Sequence, residues 1–166
     1  LGPEIRRGLC HGTRRGLEQK WFEDELGVNV IGTEIADTAT QFPNTIQWDF
    51  HDIKDDWLDK FDFIYSNSLD HSYNPAIAIN SWVACLRPGG LILLEHSDRH
   101  EPGGTSDIDP FGITLSELHL FISRLGHGNF WVEDLLEDLP NSRKPPGYSV
   151  CVVVRKKGAQ SEGVNI

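Results

Sequence analysis

The sequence predicts an α/β domain built on a mostly parallel sheet with crossover helices, closed by an antiparallel pair of strands. Three observations lead there. Short apolar or β-branched runs alternate with longer helical stretches along most of the chain. The last two runs are joined directly by a loop carrying three prolines, which suits a hairpin and breaks the strand–helix rhythm. The chain has 166 residues, the size of one compact domain.

Ile5 to Cys10 reads as a short first strand, ending in the glycine-studded loop His11-Gly12-Thr13-Arg14-Arg15-Gly16. Leu17 to Leu26 reads as a helix with Leu17, Trp21, Phe22 and Leu26 sharing much of one face and Gly27 as its stop. Val28 to Thr33 is a second strand closed by Glu34, and Asn44 to Trp48 a third closed by Asp49. Between them Ala36 to Phe42 is a short helical or turn segment, interrupted by Pro43. Acidic, turn-prone His51 to Lys60 leads into the strongly apolar fourth strand, Phe61 to Ser66. Pro75 to Leu86 is a helix with proline in its first turn, and Arg87-Pro88-Gly89-Gly90 an abrupt stop before a buried fifth strand, Leu91 to Glu95. A polar loop from His96 to Gly112 follows, then an amphipathic helix from Leu115 to Leu125 and the two strands Phe130 to Leu136 and Tyr148 to Arg155. Residues 1–157 are expected to form one domain, with 158–166 a frayed tail.

Hydrophobic residues make up 39% of the chain, enough for a real core and against wholesale disorder. Acidic residues outnumber basic ones 25 to 15, a formal charge of −10, so the surface repels phosphate backbones and anionic lipid. Nucleic acid and membrane are therefore poor partners, and no apolar run reaches the roughly 18 residues a span needs. Cys10, Cys85 and Cys151 are odd in number and outside any CxxC spacing. They suit a reducing, cytoplasmic compartment and argue against a disulfide scaffold or a zinc site. Methionine is absent even at position 1, so the chain is expected to begin inside a longer reading frame or after a cleaved tag, Leu1-Gly2-Pro3 being its scar.

In open parallel sheets, ligands bind beyond the carboxyl ends of the strands, where strand order reverses. The loop from His11 to Gly16 can bring main-chain N–H groups to a ligand at a helix N-terminus, although a tight turn explains its glycines equally well. Glu34 follows about 20 residues on and ends the next strand, suiting a carboxylate that accepts two ribose hydroxyls, or a plain strand cap. Asp49-Phe50 offers a carboxylate to an exocyclic amine, or a main-chain N–H to a base, and a ring to stack on. Ser66-Asn67-Ser68-Leu69-Asp70-His71 places more polar side chains after an apolar strand than a turn needs. His96, Asp98, His100 and Glu101 could imitate metal ligands, but a solvated loop explains them better, and no metal is expected.

At this point the chain resembles the class I S-adenosylmethionine-dependent methyltransferases, over roughly Ile5 to Arg155. Leu86-Arg87-Pro88-Gly89-Gly90-Leu91 is similar to the family's LkPGG motif before strand 5. Cys10-His11-Gly12-Thr13-Arg14-Arg15-Gly16-Leu17-Glu18 looks like a CxGxRxGxE variant of its glycine-rich motif, and Phe61 to Ser68 like the fourth-strand motif near the transferred methyl. The resemblance implies a three-layer Rossmann-like fold with a seven-stranded sheet ordered 3-2-1-4-5-7-6, strand 7 antiparallel. It implies S-adenosylmethionine as cofactor, with Cys10, His11, Gly12, Thr13 and Arg14 around the methionine moiety, Glu34 on the ribose and Asp49 and Phe50 on the adenine. Asn67 and Ser68 would complete the cofactor site. The chain departs from the family in two ways: Arg6-Arg7-Gly8-Leu9-Cys10 lacks the usual acidic residue near the end of strand 1, and the helices that usually precede that strand are missing. Arg14 and Arg15 instead offer positive charge to a carboxylate or a phosphate.

Methyl transfer needs in-line positioning and, for some acceptors, removal of a proton. Asp70 and His71 are the expected positioning or base residues, His96 a lesser candidate, and the acceptor a small molecule. Two other classes compete: a cofactor-binding or scaffold domain without turnover, and a nucleotide-sugar or dinucleotide enzyme in which Arg14 and Arg15 grip a pyrophosphate. Glycines 8, 12 and 16 do not make GxGxxG, which counts against the last.

Overall fold

The computed structural model describes residues 4–137 and 147–159. Seven strands, β1 (Arg7–His11), β2 (Asn29–Glu34), β3 (Thr45–Gln47), β4 (Phe61–Ser66), β5 (Leu86–Ser97), β6 (Phe130–Leu136) and β7 (Ser149–Lys156), form one sheet in the order β3-β2-β1-β4-β5-β7-β6. Pairs among β1 to β5 are parallel, and β7 runs antiparallel to both β5 and β6. Among the described residues three α-helices accompany it: α1 (Leu17–Leu26), α2 (Pro75–Cys85) and α3 (Leu115–Gly126). This is the Rossmann-like order expected from the resemblance. Most of the loop before β7 and the tail from residue 160 lie outside the described residues.

The main core fills the face under α2 and α3. Leu9, Ile64, Ile92, Leu94, Val152 and Val154 project from the strands onto Ile79, Trp82, Leu118 and Ile122 of the helices. Helix α3 starts where Thr114 and Glu117 cap each other reciprocally, a capping box. The other face holds a smaller cluster of Cys10, Val30 and Phe63, with Phe22 of α1 packed against it.

Two expectations are corrected. The apolar face assigned to α1 is split: Leu17 and Trp21 are 49% and 59% exposed, whereas Gln19 is 1% exposed. At about 100° per residue, Leu17 and Trp21 point away from Gln19, whereas Phe22 and Leu26 lie on its side, Leu26 still 44% exposed at the helix end. The helix docks through polar contacts instead. Gln19 Nε2 donates to Thr45 Oγ1 at 2.8 Å and lies where a Cβ on Gly32 would be, and Glu23 Oε1 accepts from Val30 N and Asn44 Nδ2. The second correction concerns Arg87-Pro88-Gly89-Gly90, which is no separate stop. Strand β5 begins at Leu86, opposite Phe61, and a bulge between Phe61 and Phe63 absorbs the extra residues. Arg87 pairs with buried Asp62, whose Oδ2 also takes the N–H groups of Arg6 and Arg7. The motif most like the methyltransferase family thus anchors the edge of the sheet opposite the ligand-facing one.

Candidate functional site

The carboxyl ends of β1, β2, β3 and β4 lie along one edge, with β1 between β2 and β4. Gly12 adopts φ +70, and a Cβ there would fall 2.5 Å from Ser68 Oγ. The serine closes the gap by donating to Gly12 O at 3.2 Å, and Ser66 Oγ donates to His11 O at 3.2 Å. The hydroxyls of Ser66, the last residue of β4, and of Ser68 just past it therefore stitch the glycine loop to the end of β4. Thr13 N donates to Thr33 O at 3.0 Å, joining the same loop to β2. Glu34 completes the frame: Oε2 accepts from Arg14 N at 2.8 Å, and Oε1 accepts from Ile35 N and Ala36 N at 2.8 and 3.1 Å. Its carboxylate holds the glycine loop and leaves a lone pair on Oε2. The side chains of Arg14 and Arg15 are exposed and, among the described residues, have no ion-pair partner.

Not every residue of the loop turns its side chain to this edge. Cys10 is fully buried with Val30 and Phe63 on the α1 face, and burial drives its thiol pKa far upward. Only its main chain could serve the cleft. His11 is 3% exposed, stacks on Trp82 at 5.1 Å and pairs through Nδ1 with Thr33 Oγ1 at 2.8 Å. Burial lowers its pKa to about 3, so it is a neutral core histidine at physiological pH. Thr13 is 2% exposed, so its main chain, like that of Cys10, is what it presents to the cleft.

Beyond β3, Asp49 and Phe50 are half-buried beside this edge, and the loop is mounted on α2: Trp82 Nε1 donates to Phe50 O at 3.0 Å and Ser81 Oγ to His51 O at 2.6 Å. Asp49 Oδ1 accepts from both His51 N (2.9 Å) and His51 Nδ1 (2.6 Å), and His51 Nε2 meets Ser72 Oγ at 2.7 Å.

After β4, Asn67 Oδ1 lies 2.9 Å from Ser68 Oγ and shares that hydroxyl's one hydrogen with Gly12 O, while Asp70 and His71 lie in a short 3-10 turn held to the loop after β5 by Phe111 N, which donates to Asp70 O. His71 is half-exposed, with Nδ1 at 2.8 Å from Asp109 Oδ1 and 2.9 Å from Ile108 O. Both partners only accept, so Nδ1 carries a proton and donates to them. Ligand atoms of Asp70, His71 and Asp109 gather within 4.8 Å of one another, His71 and Asp109 through the Nδ1 contact.

A cavity of about 10 Å³ sits behind this turn, lined by Asp70, Leu94, His96, His100, Phe111 and Leu118 among others. Asp70 Oδ1 and His96 Nε2 are buried there with no hydrogen-bond partner, and one water is about the size the space admits. The reading of His96 as part of a solvated loop is corrected: it ends β5 on the core side, 3% exposed, and burial with nearby His100 lowers its pKa to about 4. His100 is also ordered, accepting from Ser97 N at 3.1 Å.

The sequence reading brought Gly12, Arg14, Glu34, Asp49, Phe50, Asn67, Ser68, Asp70 and His71 forward, and the fold places all of them along or just behind this edge. It passed over His51, Ser72 and Asp109. Asp49-x-His51 carries a usable signal, a carboxylate and an imidazole two residues apart at a strand end. Ser72 and Asp109 carry none, because their partners are distant in sequence.

No family model matches the chain, and none of the curated proteins does. Solved structures do. The chain is similar to the Haloferax volcanii partner of the Trm112 methyltransferase activator, with TM-score 0.71 and 14% identity over 94% of this chain and 84% of that one. It is similar to the Burkholderia thailandensis 1,6-didemethyltoxoflavin-N1-methyltransferase, solved with S-adenosylhomocysteine, with TM-score 0.67 and 18% identity over 94% and 72%. It is also similar to the cyclase SpnF, with TM-score 0.69 and 14% identity over 93% and 76%. The chain therefore has the class I methyltransferase fold, a scaffold that one of these neighbours is named for using in cyclisation.

Proposed function

We propose that the chain is an S-adenosylmethionine-dependent methyltransferase acting on a small-molecule acceptor. The observation that carries this reading is the row of ligand-suited groups along the edge where strand order reverses, with the glycine loop at its centre. The residues fit the cofactor. Gly12 keeps its Cα bare against Ser68, and the main chain from Cys10 to Thr13 lies beside it with Asn67 and Ser68. Arg14, without an ion-pair partner among the described residues, supplies a guanidinium for the methionine carboxylate, Glu34 a carboxylate for the ribose, and Asp49 and Phe50 a carboxylate and a ring for the adenine. When bound, the cofactor supplies a methyl group already activated on a sulfonium.

The chain's remaining task is to place the acceptor and take its proton. His71 Nε2 is the free basic nitrogen on the β4 side, its ring oriented by Asp109 as a carboxylate orients a general-base histidine. Asp70 adds a second carboxylate next to it. The −10 charge of the sequence makes nucleic acid a poor acceptor. A cofactor-binding domain without turnover is the competing reading, since a shared fold does not by itself imply turnover.

Thermal unfolding with S-adenosylhomocysteine and with NAD tests the proposal. At 100 times its dissociation constant the first should stabilise by about 2.7 kcal/mol, and NAD should not. A shift with NAD alone would sink the reading. Formation of S-adenosylhomocysteine from S-adenosylmethionine in the presence of a panel of small nucleophiles then separates an enzyme from a binding domain.

A further inference from the structure

Asp49, His51 and Ser72 form a hydrogen-bonded chain, of which the methyl-transfer reading uses only Asp49. His51 Nδ1 lies 2.6 Å from Asp49 Oδ1, and His51 Nε2 lies 2.7 Å from Ser72 Oγ. His51 is 5% exposed and Ser72 2%, and the ring of Tyr73 stacks on the imidazole at 3.7 Å.

The protons along the chain follow from its chemistry. A carboxylate only accepts, so Nδ1 carries hydrogen and donates to Asp49. With hydrogen on Nδ1 alone, Nε2 accepts and the Ser72 hydroxyl donates to it. The serine's own lone pair takes the N–H of Asn74 at 3.2 Å. Each hydroxyl and ring nitrogen in the chain has one partner of the right kind, which is how a buried polar network comes to fix geometry.

The spacing is that of a nucleophilic serine with its histidine and aspartate. A serine almost wholly buried under Tyr73 has no path to an acyl or phosphoryl substrate. Asp49, by contrast, is 28% exposed at the cleft edge. Both donors from His51, N and Nδ1, converge on the single oxygen Oδ1. That leaves Oδ2 as the atom able to meet a ligand and fixes the plane of the carboxylate. Tyr73 on one side and the Ser81 bond to the His51 carbonyl on the other hold the histidine itself in place.

We infer that His51, oriented by Ser72, is a positioning residue that aims the Asp49 carboxylate at the exocyclic amine of a bound adenine and so sets the preference for an amino over an oxo purine. The inference rests on the proposed cofactor. A carboxylate free to rotate turns toward water; one pinned at Oδ1 presents Oδ2 in a constant direction. It accepts from a 6-amino group and is repelled by a 6-oxo oxygen.

The test is calorimetric titration of S-adenosylhomocysteine and S-inosylhomocysteine, which differ at that position, against the wild-type chain and its variants. The wild type should prefer the adenosine compound by about tenfold or more, the range of a hydrogen bond to an ionised group. His51→Leu should bring the ratio close to one. His51→Asn, whose side-chain amide can still donate to Asp49, should restore most of it, and Ser72→Ala should reduce it several-fold. Glu34→Ala should weaken both ligands alike and leave the ratio intact. If the wild type binds neither compound, the cofactor reading and this inference fall together. If it binds both equally, or if folded His51→Leu and Ser72→Ala variants keep the wild-type ratio, the inference falls and the cofactor reading stands. Covalent labelling of Ser72 by a fluorophosphonate would also overturn it, since the serine would then be a reachable nucleophile.

Discussion

Ser68 Oγ occupies the space that a side chain on Gly12 would need, 2.5 Å from where its Cβ would lie, and donates to the Gly12 carbonyl at 3.2 Å. The end of β4 and the loop after β1 are thereby held at a fixed separation, and both flank the proposed cofactor site. Their spacing depends on a glycine.

Gly12→Ala should destabilise the fold by about 1–3 kcal/mol, from the strained positive φ and the clash together. Urea unfolding gives the magnitude. Adding Ser68→Gly should recover part of the loss, because it removes the clash and leaves the backbone strain. Strictly additive losses in the double variant would show that the two residues do not press on each other.

Glu34→Ala should weaken S-adenosylhomocysteine by about 1–3 kcal/mol without unfolding the domain, the worth of hydrogen bonds to a charged acceptor. Part of that loss would come through the loop, since the same carboxylate holds the N–H groups of Arg14, Ile35 and Ala36. Unchanged affinity in a folded variant would reduce Glu34 to a cap on β2.

Asp70→Ala and His71→Ala should lower turnover and leave cofactor affinity nearly unchanged, because both lie past β4, on the opposite side of the glycine loop from Glu34 and Asp49. Loss of a general base costs on the order of 10²–10⁴ in rate, and loss of positioning less. Asp109→Ala should mimic a weaker form of the His71 variant by freeing the ring. Loss of cofactor binding in either main variant would assign the segment to the cofactor site; no effect in either would make it a turn.

Acidification should destabilise the fold from about pH 6.5 downward. His96 and His11 are lowered by burial to about 4 and about 3, so below the ordinary value near 6.5 the unfolded chain takes up protons that the native state refuses. Their stabilising effect is fully present above pH 6.5 and is lost as pH falls toward 4. The slope can approach about 1.4 kcal/mol per pH unit for each group. His96→Gln should flatten the curve of unfolding free energy against pH by about one proton between pH 6 and 4.5. A curve identical to that of the wild type would mean His96 titrates freely in the folded protein.

The sequence by itself determined the elements and much of the site. Local signals are decisive for Leu17–Leu26, Phe61–Ser66 and Phe130–Leu136, whose bounds match the structure residue for residue. The glycine loop, Glu34 and Asp49 were legible because strand ends concentrate polar residues beside apolar runs. Tertiary structure decided what depends on partners far along the chain. Strand β5 starts at Leu86 because Phe61 pairs with it and Arg155 Nη1 holds the Gly89 carbonyl. Trp21 faces solvent because Gln19, and not an apolar residue, fits over Gly32 and reaches Thr45. His96 leaves the expected loop for the core because seven residues of β5 pair with β7 through Ser97. The chain from Asp49 to Ser72 and the bond from His71 to Asp109 cross 23 and 38 positions. Periodicity reports only which face of its own element a residue occupies, whereas hydrogen-bond partners on different elements are set by packing alone.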